Sequence, residues 1–249
     1  MSILTELVDG SLVVTINRPE ARNALNGEVG QGLADALTRA DGDDGVRSVV
    51  LTGAGDRTFC AGLDLKALSR GENLAPVMQA LDGLRDFRKP LLAAVNGSCL
   101  GGGFEIMMHC DLVIAAAGTN FGLPEVRRGL LAAGGGTRLP LRLPIARALE
   151  LALTGDPIPA EQALDWGLVN RVVPRDELLP ATLELAGRVN ANAPLALQAT
   201  KRLLRGELGD DAAAMKTALA SMADLMASED AQEGGRAFAE KRPPVWKGR

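Results

Sequence analysis

A run of three glycines between two apolar segments constrains this chain more than any other feature. Residues 96–105 read Asn-Gly-Ser-Cys-Leu-Gly-Gly-Gly-Phe-Glu, with the apolar run Leu91–Val95 before them and helix-compatible sequence at 104–108 after them. This pattern predicts a strand, a glycine turn and a helix with Glu105 in its first turn. The first N–H groups of a helix lack partners, and glycine has no side chain to shield them. We therefore predict that this turn holds a carbonyl oxygen with Glu105 beside it.

The side chains that are scarce in this chain narrow its chemistry. Histidine is the commonest general base and metal ligand, but the 249 residues contain only His109 and no tyrosine. We interpret His109 as a helix-end residue near the C-terminal dipole. The three cysteines, Cys60, Cys99 and Cys110, lack metal-ligand spacing and are predicted to be reduced core thiols. Carboxylates are therefore the leading candidates for proton transfer, and no metal site is predicted.

Charge and hydropathy exclude several classes of partner. A net charge of -4 argues against nucleic acid, whose binding proteins usually carry a basic footprint. No apolar run approaches the ~20 residues that span a bilayer. The N-terminus lacks the basic and apolar regions of a signal peptide. We expect a cytoplasmic protein with neither a membrane nor a nucleic acid as its partner.

Alternating strands and helices predict an α/β fold. A hairpin is predicted from Ile3–Val8, the Asp9-Gly10 turn and a strand at 12–17. Further strands are predicted at 47–51, 91–95, 111–116 and 169–173, with helices at 28–40, 75–87, 103–108, 160–166 and 178–190. Asp64 is the predicted N-cap of another helix. Such alternation favours a sheet with right-handed crossovers. Neither glycine turn is G-x-G-x-x-G, so a dinucleotide site is not favoured.

The C-terminal part of the chain has a different character. A helical segment at 137–153 is predicted to break at Pro140 and Pro144. After residue 176 only helical patterns follow, at 178–190, 194–205, 210–226 and 228–240. We therefore predict an α/β core at residues 1–190 and an all-helical extension at 191–249.

Five segments, in the right order and across nearly the whole chain, resemble the crotonase superfamily, also called the enoyl-CoA hydratase/isomerase family. They are Asn17-Arg-Pro, Phe59-Cys-Ala-Gly-Leu-Asp-Leu, Ala94-Val-Asn-Gly with Gly-Gly-Gly-Phe-Glu, Phe121-Gly-Leu-Pro-Glu, and Phe238-Ala-Glu-Lys-Arg. The resemblance implies a crotonase-like spiral of ββα units whose helical C-terminal region takes part in trimerisation. It implies a homo-oligomer that is a trimer or a dimer of trimers.

The resemblance also implies a site. Leu63 and Gly102 match the two positions whose backbone N–H groups form an oxyanion hole, and Glu105 and Glu125 match the two glutamates that hold a water in the hydratases. Taken alone, these glutamates could equally be a first-turn helix residue favoured by the dipole and a surface acid after proline. The positions that match contacts to coenzyme A or the acyl group are Arg22, Ala24, Ala61, Gly62, Asp64, Leu65, Gly101, Pro124, Phe238 and Lys241.

The activity implied by the resemblance is that of a hydro-lyase acting on an acyl-CoA substrate, an enoyl-CoA hydratase. Coenzyme A arrives as part of that substrate, and no separate cofactor is implied. Three alternatives stay open. Residues 165–173 and the C-terminal segment resemble carnitinyl-CoA dehydratases, the same site could isomerise a double bond, and some family members bind coenzyme A or RNA with little catalysis. After Glu125 the chain departs from the proline-containing turn of short-chain hydratases, which leaves the acyl chain length open.

Overall fold

The computed structural model describes residues 1–192, 194–206, 226–227 and 229–242. Its strands are β1 (Ile3–Val8), β2 (Ser11–Ile16), β3 (Ser48–Gly53), β4 (Thr58–Cys60), β5 (Leu91–Val95), β6 (Ser98–Leu100), β7 (Leu112–Ala116), β8 (Asn120–Gly122), β9 (Ile158–Pro159) and β10 (Arg171–Val173). Its helices are α1 (Gly27–Gly42), α2 (Leu65–Ser69), α3 (Ala75–Asp86), α4 (Gly102–His109), α5 (Ile145–Thr154), α6 (Ala160–Asp165), α7 (Leu178–Asn190), α8 (Pro194–Gly206) and α9 (Glu229–Glu240). Short 3-10 helices cover Pro19–Ala21, Pro124–Arg128, Gly136–Leu141 and Arg175–Glu177.

The larger sheet has six strands in the order β1-β2-β3-β5-β7-β10. Only the β1–β2 pair is antiparallel, joined by the predicted Asp9-Gly10 turn, where both residues have a positive φ. The other pairs are parallel. The predicted mixed α/β fold with parallel strands is therefore confirmed, and so is the hairpin at its edge.

Both faces of this sheet are covered, which explains its uninterrupted apolar strands. On one face, Leu92 and Ala94 of β5 pack in a cluster with Leu178 and Ala186 of α7. On the other face, the side chains of Leu91, Ala93 and Val95 enter the main core, together with residues of α1, α3 and α4. Because side chains alternate along a strand, one short apolar run supplies both layers.

A second, smaller sheet was not predicted from the sequence. Its order is β4-β6-β8-β9, with β4, β6 and β8 parallel and β9 antiparallel to β8. The predicted strand at Leu91–Val95 and the helix after the glycines are confirmed, but β6, which was not predicted, lies between the strand and the glycine turn and belongs to this second sheet. Asn96 makes the transition: its buried side chain donates to the carbonyls of Gly53 (2.8 Å) and Gly55 (2.7 Å) and fixes the chain as it leaves β5.

The remaining local predictions are mostly confirmed. The three cysteines are free and buried. Asp64 caps α2 by accepting a hydrogen bond from the Ala67 N–H at 3.0 Å. The segment predicted as a helix broken by prolines forms a 3-10 helix that contains Pro140, and α5 begins directly after Pro144.

The described C-terminal helices, α8 and α9, both contact the core. Helix α8 is tied to Asp111, before β7, through Lys201 (2.8 Å) and Arg205 (2.6 Å). Helix α9 packs on the 3-10 helix Pro124–Arg128 and on α2. The predicted helix at 210–226 lies outside the described residues except for residue 226, and the domain boundary and the trimerisation role stay predictions. Within the described part of the chain, no helix is long and apolar enough to cross a membrane.

Candidate active site

The second sheet brings the predicted site residues together. Leu63 follows β4, Gly102 follows β6 and Glu125 follows β8. These three strands run parallel, with Cys60 beside Cys99 and Leu100 beside Gly122. Parallel strands end at the same edge of a sheet, so the segments that follow them meet there. The site is therefore assembled by three strands of only three residues each.

Two backbone N–H groups lie side by side at this edge. A methyl group at Gly62 would lie 2.9 Å from the nitrogen of Gly102, and one at Gly102 would lie 3.6 Å from the nitrogen of Leu63. Neither the Leu63 nor the Gly102 N–H donates a hydrogen bond to any described residue. The φ of Gly62, +93°, is one that residues with a side chain rarely adopt. Glycine at this position keeps both amides accessible to an oxygen atom.

The Leu63 amide is held by pairing with the loop before α1. The Leu25 N–H donates to the Gly62 carbonyl at 2.8 Å, and the Asp64 N–H donates to the Leu25 carbonyl at 2.9 Å. Successive N–H groups of an extended chain point to opposite sides, so the N–H of Leu63 points away from Leu25.

Arg18 links the loop before α1 to the segment that follows β4. It was not predicted as a site residue. Its guanidinium contacts Asp64 at 3.1 Å and donates to the Ala24 carbonyl at 2.7 Å. Burial raises the pKa of Asp64, but the hydrogen bond from Ala67 and the contacts with Arg18 together have a larger, opposite effect. The pKa of Asp64 therefore lies below its usual value. The Asn17-Arg-Pro motif therefore serves the site through an ion pair across 46 positions of sequence.

Glu105 lies in the first turn of α4, as predicted, and is almost completely buried (6% exposed). Its Oε1 accepts hydrogen bonds from the N–H groups of Gly134 (2.6 Å) and Gly136 (3.2 Å). A methyl group at Gly134 would lie 2.9 Å from Oε2 of Glu105 and 2.6 Å from Leu81. The triple-glycine run at residues 134–136 thus fixes one oxygen of this carboxyl group.

His109 contacts the same glycine loop. It is the last residue of α4, as predicted, and its Nε2 lies 2.8 Å from the Gly134 carbonyl. Because a carbonyl only accepts, Nε2 carries the proton. Burial lowers the pKa of His109 to about 3, opposed by the bond to Gly134 and aided by the charges of Arg138, Arg205 and Arg85. The histidine is therefore neutral and serves to position Gly134.

Glu125 faces the same edge from the other side. Its Oε1 would lie 3.2 Å from a methyl group at Gly101, and its buried Oε2 has no hydrogen-bond partner within the described residues. Burial and the charge of Glu105 raise the pKa of Glu125, while Arg128 lowers it. Burial also raises the pKa of Glu105, against the pull of its three glycine N–H groups. Two carboxyl groups coupled in this way favour retention of one proton between them.

The residues predicted to contact coenzyme A fall in two groups. Ala61 donates its N–H to the Arg22 carbonyl at 3.1 Å, which places Arg22, Ala24 and the segment 61–65 on one edge beside Gly101 and Gly102. Phe238 and Lys241 lie at the end of α9, and Phe238 lines a cavity with Pro124. The described residues include no group of three or more His, Cys, Asp or Glu side chains placed to hold a metal ion.

Known proteins match this architecture along the whole chain. Residues 7–249 match the enoyl-CoA hydratase/isomerase family. A carnitinyl-CoA dehydratase from Proteus mirabilis is 39% identical over 249 residues, covering 96% of this chain and 95% of the relative. The crystal structure of a carnitinyl-CoA hydratase from Mycobacterium avium superposes with a TM-score of 0.94 at 47% identity, and that of an enoyl-CoA hydratase from Mycobacterium tuberculosis with 0.77 at 45%. Each alignment covers 100% of this chain and 99% of the other.

Proposed function

The chain belongs to the enoyl-CoA hydratase/isomerase family and is a hydro-lyase, and we propose that it catalyses the reversible addition of water to a 2-trans-enoyl-CoA. The observation that carries this proposal is the pairing of Glu105 and Glu125 beside two amides that donate to no described residue. One amide pair without carboxylates would serve only to bind a carbonyl. A pair of largely shielded carboxyl groups that holds one proton can both accept a proton from water and donate one to carbon.

In this mechanism the thioester oxygen binds the N–H groups of Leu63 and Gly102. Attack of water on the β-carbon moves negative charge onto that oxygen, where the two amides stabilise it. Amides fixed in a buried site stabilise the charge without reorganising, and loss of one such donor typically costs ~3 kcal/mol in the transition state. Because the donors are backbone groups, the leucine side chain at position 63 is not needed for this role.

The proton inventory of the pair fits this reaction. One carboxylate takes a proton from the attacking water, and the neutral carboxyl group delivers its proton to the α-carbon. Burial and the neighbouring charge of Glu105 raise the pKa of Glu125 to about 8, which keeps one proton in the site at neutral pH. We assign no separate role to either residue, because the two groups titrate as a pair.

The test is a hydration assay on purified protein. Loss of the ultraviolet absorbance of the conjugated thioester on mixing with crotonyl-CoA, and then with longer enoyl-CoAs, reports hydration directly. We expect Glu105→Gln and Glu125→Gln each to lower turnover by orders of magnitude while the fold is retained. Glu161→Gln is the matched control, because Glu161 is an exposed glutamate in the first turn of α6. Wild-type turnover in either site variant would remove that carboxyl group from the mechanism.

Dehydration of carnitinyl-CoA is the second candidate, favoured by the names of relatives that are 39% and 47% identical. It is the same chemistry run on a substrate with a quaternary ammonium group. Crotonobetainyl-CoA, its unsaturated partner, separates the candidates in the same assay. Turnover of this compound with none of crotonyl-CoA would favour the second candidate. An isomerase would instead convert a 3-enoyl-CoA without taking up water. The cytoplasmic location stays a prediction. The trimeric or hexameric assembly also stays a prediction, and light scattering on the purified protein tests it.

A further inference from the structure

A cavity of about 200 Å³ lies between the 3-10 helix Pro124–Arg128, which carries Glu125, and helix α9. The described residues of its lining are apolar or cationic and include no acidic residue: Pro124, Arg127, Arg128, Gly234, Ala237, Phe238 and Arg242. Two of the arginines form ion pairs with acidic side chains that are outside the lining. Arg127 is paired with Asp156, and Arg242 is paired with Glu233 at 2.5 Å.

Arg128 is different from its two neighbours. It is partly buried, and its Nη1 donates only to the Pro124 carbonyl at 3.3 Å. Its guanidinium carbon lies 5.0 Å from the centre of the Phe238 ring. Among the described residues, no carboxylate forms an ion pair with Arg128. Its charge nevertheless reaches Glu125, since it lowers the pKa of that residue. The cavity wall therefore presents a positive charge without a carboxylate partner close to the candidate catalytic pair.

The proposed binding mode of the substrate relates this wall to the acyl chain. In the proposed reaction the carbonyl oxygen is fixed at Leu63 and Gly102, and the α- and β-carbons lie at the two glutamates. The rest of the acyl chain continues beyond them, and the chain segment that carries Glu125 also forms one wall of the cavity. We propose, building on the proposed hydration, that this cavity receives the end of the acyl chain and that Arg128 selects an acyl group that ends in a carboxylate.

The same wall is unsuited to a quaternary ammonium group. Such a cation is usually bound by aromatic faces or carboxylates. Among the described residues of the lining, Phe238 alone is aromatic, and Arg128 already lies against its ring. The arginines would repel a second cation. A carboxylate, in contrast, can form a bidentate pair with a guanidinium group.

Binding is measured with saturated thioesters, which cannot be hydrated. Calorimetry compares adipoyl-CoA, hexanoyl-CoA and 4-(trimethylammonio)butanoyl-CoA on the wild-type protein and on Arg128→Met, Arg128→Lys and Arg127→Met. We expect adipoyl-CoA to bind about tenfold or more tightly than hexanoyl-CoA, and the cationic thioester to bind weakest. Arg128→Met should abolish the preference, and Arg128→Lys should restore part of it. Arg127→Met, whose charge is already paired, should keep it.

Two results would overturn the inference. One is equal binding of adipoyl-CoA and hexanoyl-CoA by the wild-type protein. The other is an equal loss of affinity for all three thioesters and for free coenzyme A in Arg128→Met, because Arg128 would then bind a phosphate of coenzyme A. Turnover of the matched pair 2-hexenedioyl-CoA and 2-hexenoyl-CoA tests the proposed reaction separately. Hydration without an adipoyl preference contradicts only the inference, whereas a preference without any hydration contradicts the proposed function.

Discussion

Alanine at Gly62 would test the two-amide site without altering either glutamate. A methyl group there would lie 2.9 Å from the nitrogen of Gly102 and 3.0 Å from the carbonyl oxygen of Leu100. The first separation is shorter than real side chains adopt. Either the methyl group covers the Gly102 N–H, or the backbone moves and the two amides no longer point to one place. Both outcomes remove one donor from the developing negative charge.

The magnitude follows from these contacts. Loss of one donor of this kind lowers turnover by ~10²–10³-fold, or about 3 kcal/mol. The φ of +93° at Gly62 adds a separate cost, because a residue with a Cβ loses about 1–2 kcal/mol in a left-handed conformation. We therefore expect Gly62→Ala to lose turnover by a hundredfold or more and to lose about 1–2 kcal/mol in the free energy of unfolding.

Gly167→Ala is the control. Gly167 has a φ of +80°, and a methyl group there would meet no described residue within 4 Å. This variant should show the same loss in denaturant unfolding with wild-type turnover of crotonyl-CoA. The reasoning would be refuted if Gly62→Ala retained turnover within about threefold of wild type, or if Gly167→Ala lost as much activity as Gly62→Ala.

Three further predictions concern His109 and the glutamate pair. His109→Leu leaves the buried Gly134 carbonyl unpaired, which should lower the free energy of unfolding by about 1–3 kcal/mol. It should also lower kcat, because Gly134 positions Glu105. His109→Gln can still donate a hydrogen bond and should retain most of the stability and most of the turnover. His109 is the only histidine, and its pKa is depressed from 6.5 to about 3 in the fold. Its contribution to stability is therefore complete above pH 6.5 and lost as the pH falls, by up to about 1.4 kcal/mol per pH unit, and this slope should be absent from acid titrations of His109→Gln. The raised pKa values of the glutamates predict that kcat/KM falls at alkaline pH, when the pair loses its shared proton. Arg128→Met should move this fall to higher pH, because the charge of Arg128 lowers the pKa of Glu125.

The elements that could be predicted from the sequence are those with a strong local pattern. The continuous apolar run of β5 and the amphipathic periodicity of α1 and α3 identify them without tertiary information. The second sheet could not be found in this way, because strands of two or three residues such as β4 and β9 are too short to show an alternation. Yet this sheet is what brings Leu63, Gly102 and Glu125 to one edge.

The candidate site also contains residues that could be predicted from local sequence and contacts that could not. Glu105 could be placed in a first helical turn, because the glycine turn before it is a local signal. Its partners at Gly134 and Gly136 come from a distant loop, and only the repetition of a triple-glycine run marked that loop in the sequence. The pairing of Arg18 with Asp64 had no local signal beyond the Asn17-Arg-Pro motif itself. Long-range contacts of this kind are set by tertiary packing and not by spacing along the chain.

The central claim is that Glu105 and Glu125 together add water to the β-carbon of an enoyl thioester. The most direct measurement is a reaction of crotonyl-CoA in water labelled with heavy oxygen, with the product analysed by mass spectrometry. The wild-type protein and Glu161→Gln should place the label in a hydroxyl group on the β-carbon, and Glu105→Gln and Glu125→Gln should form no labelled product above the uncatalysed level. Labelled product formed at the wild-type rate by either glutamine variant, or no label taken up by the wild-type protein from crotonyl-CoA or any longer enoyl-CoA, would contradict the claim.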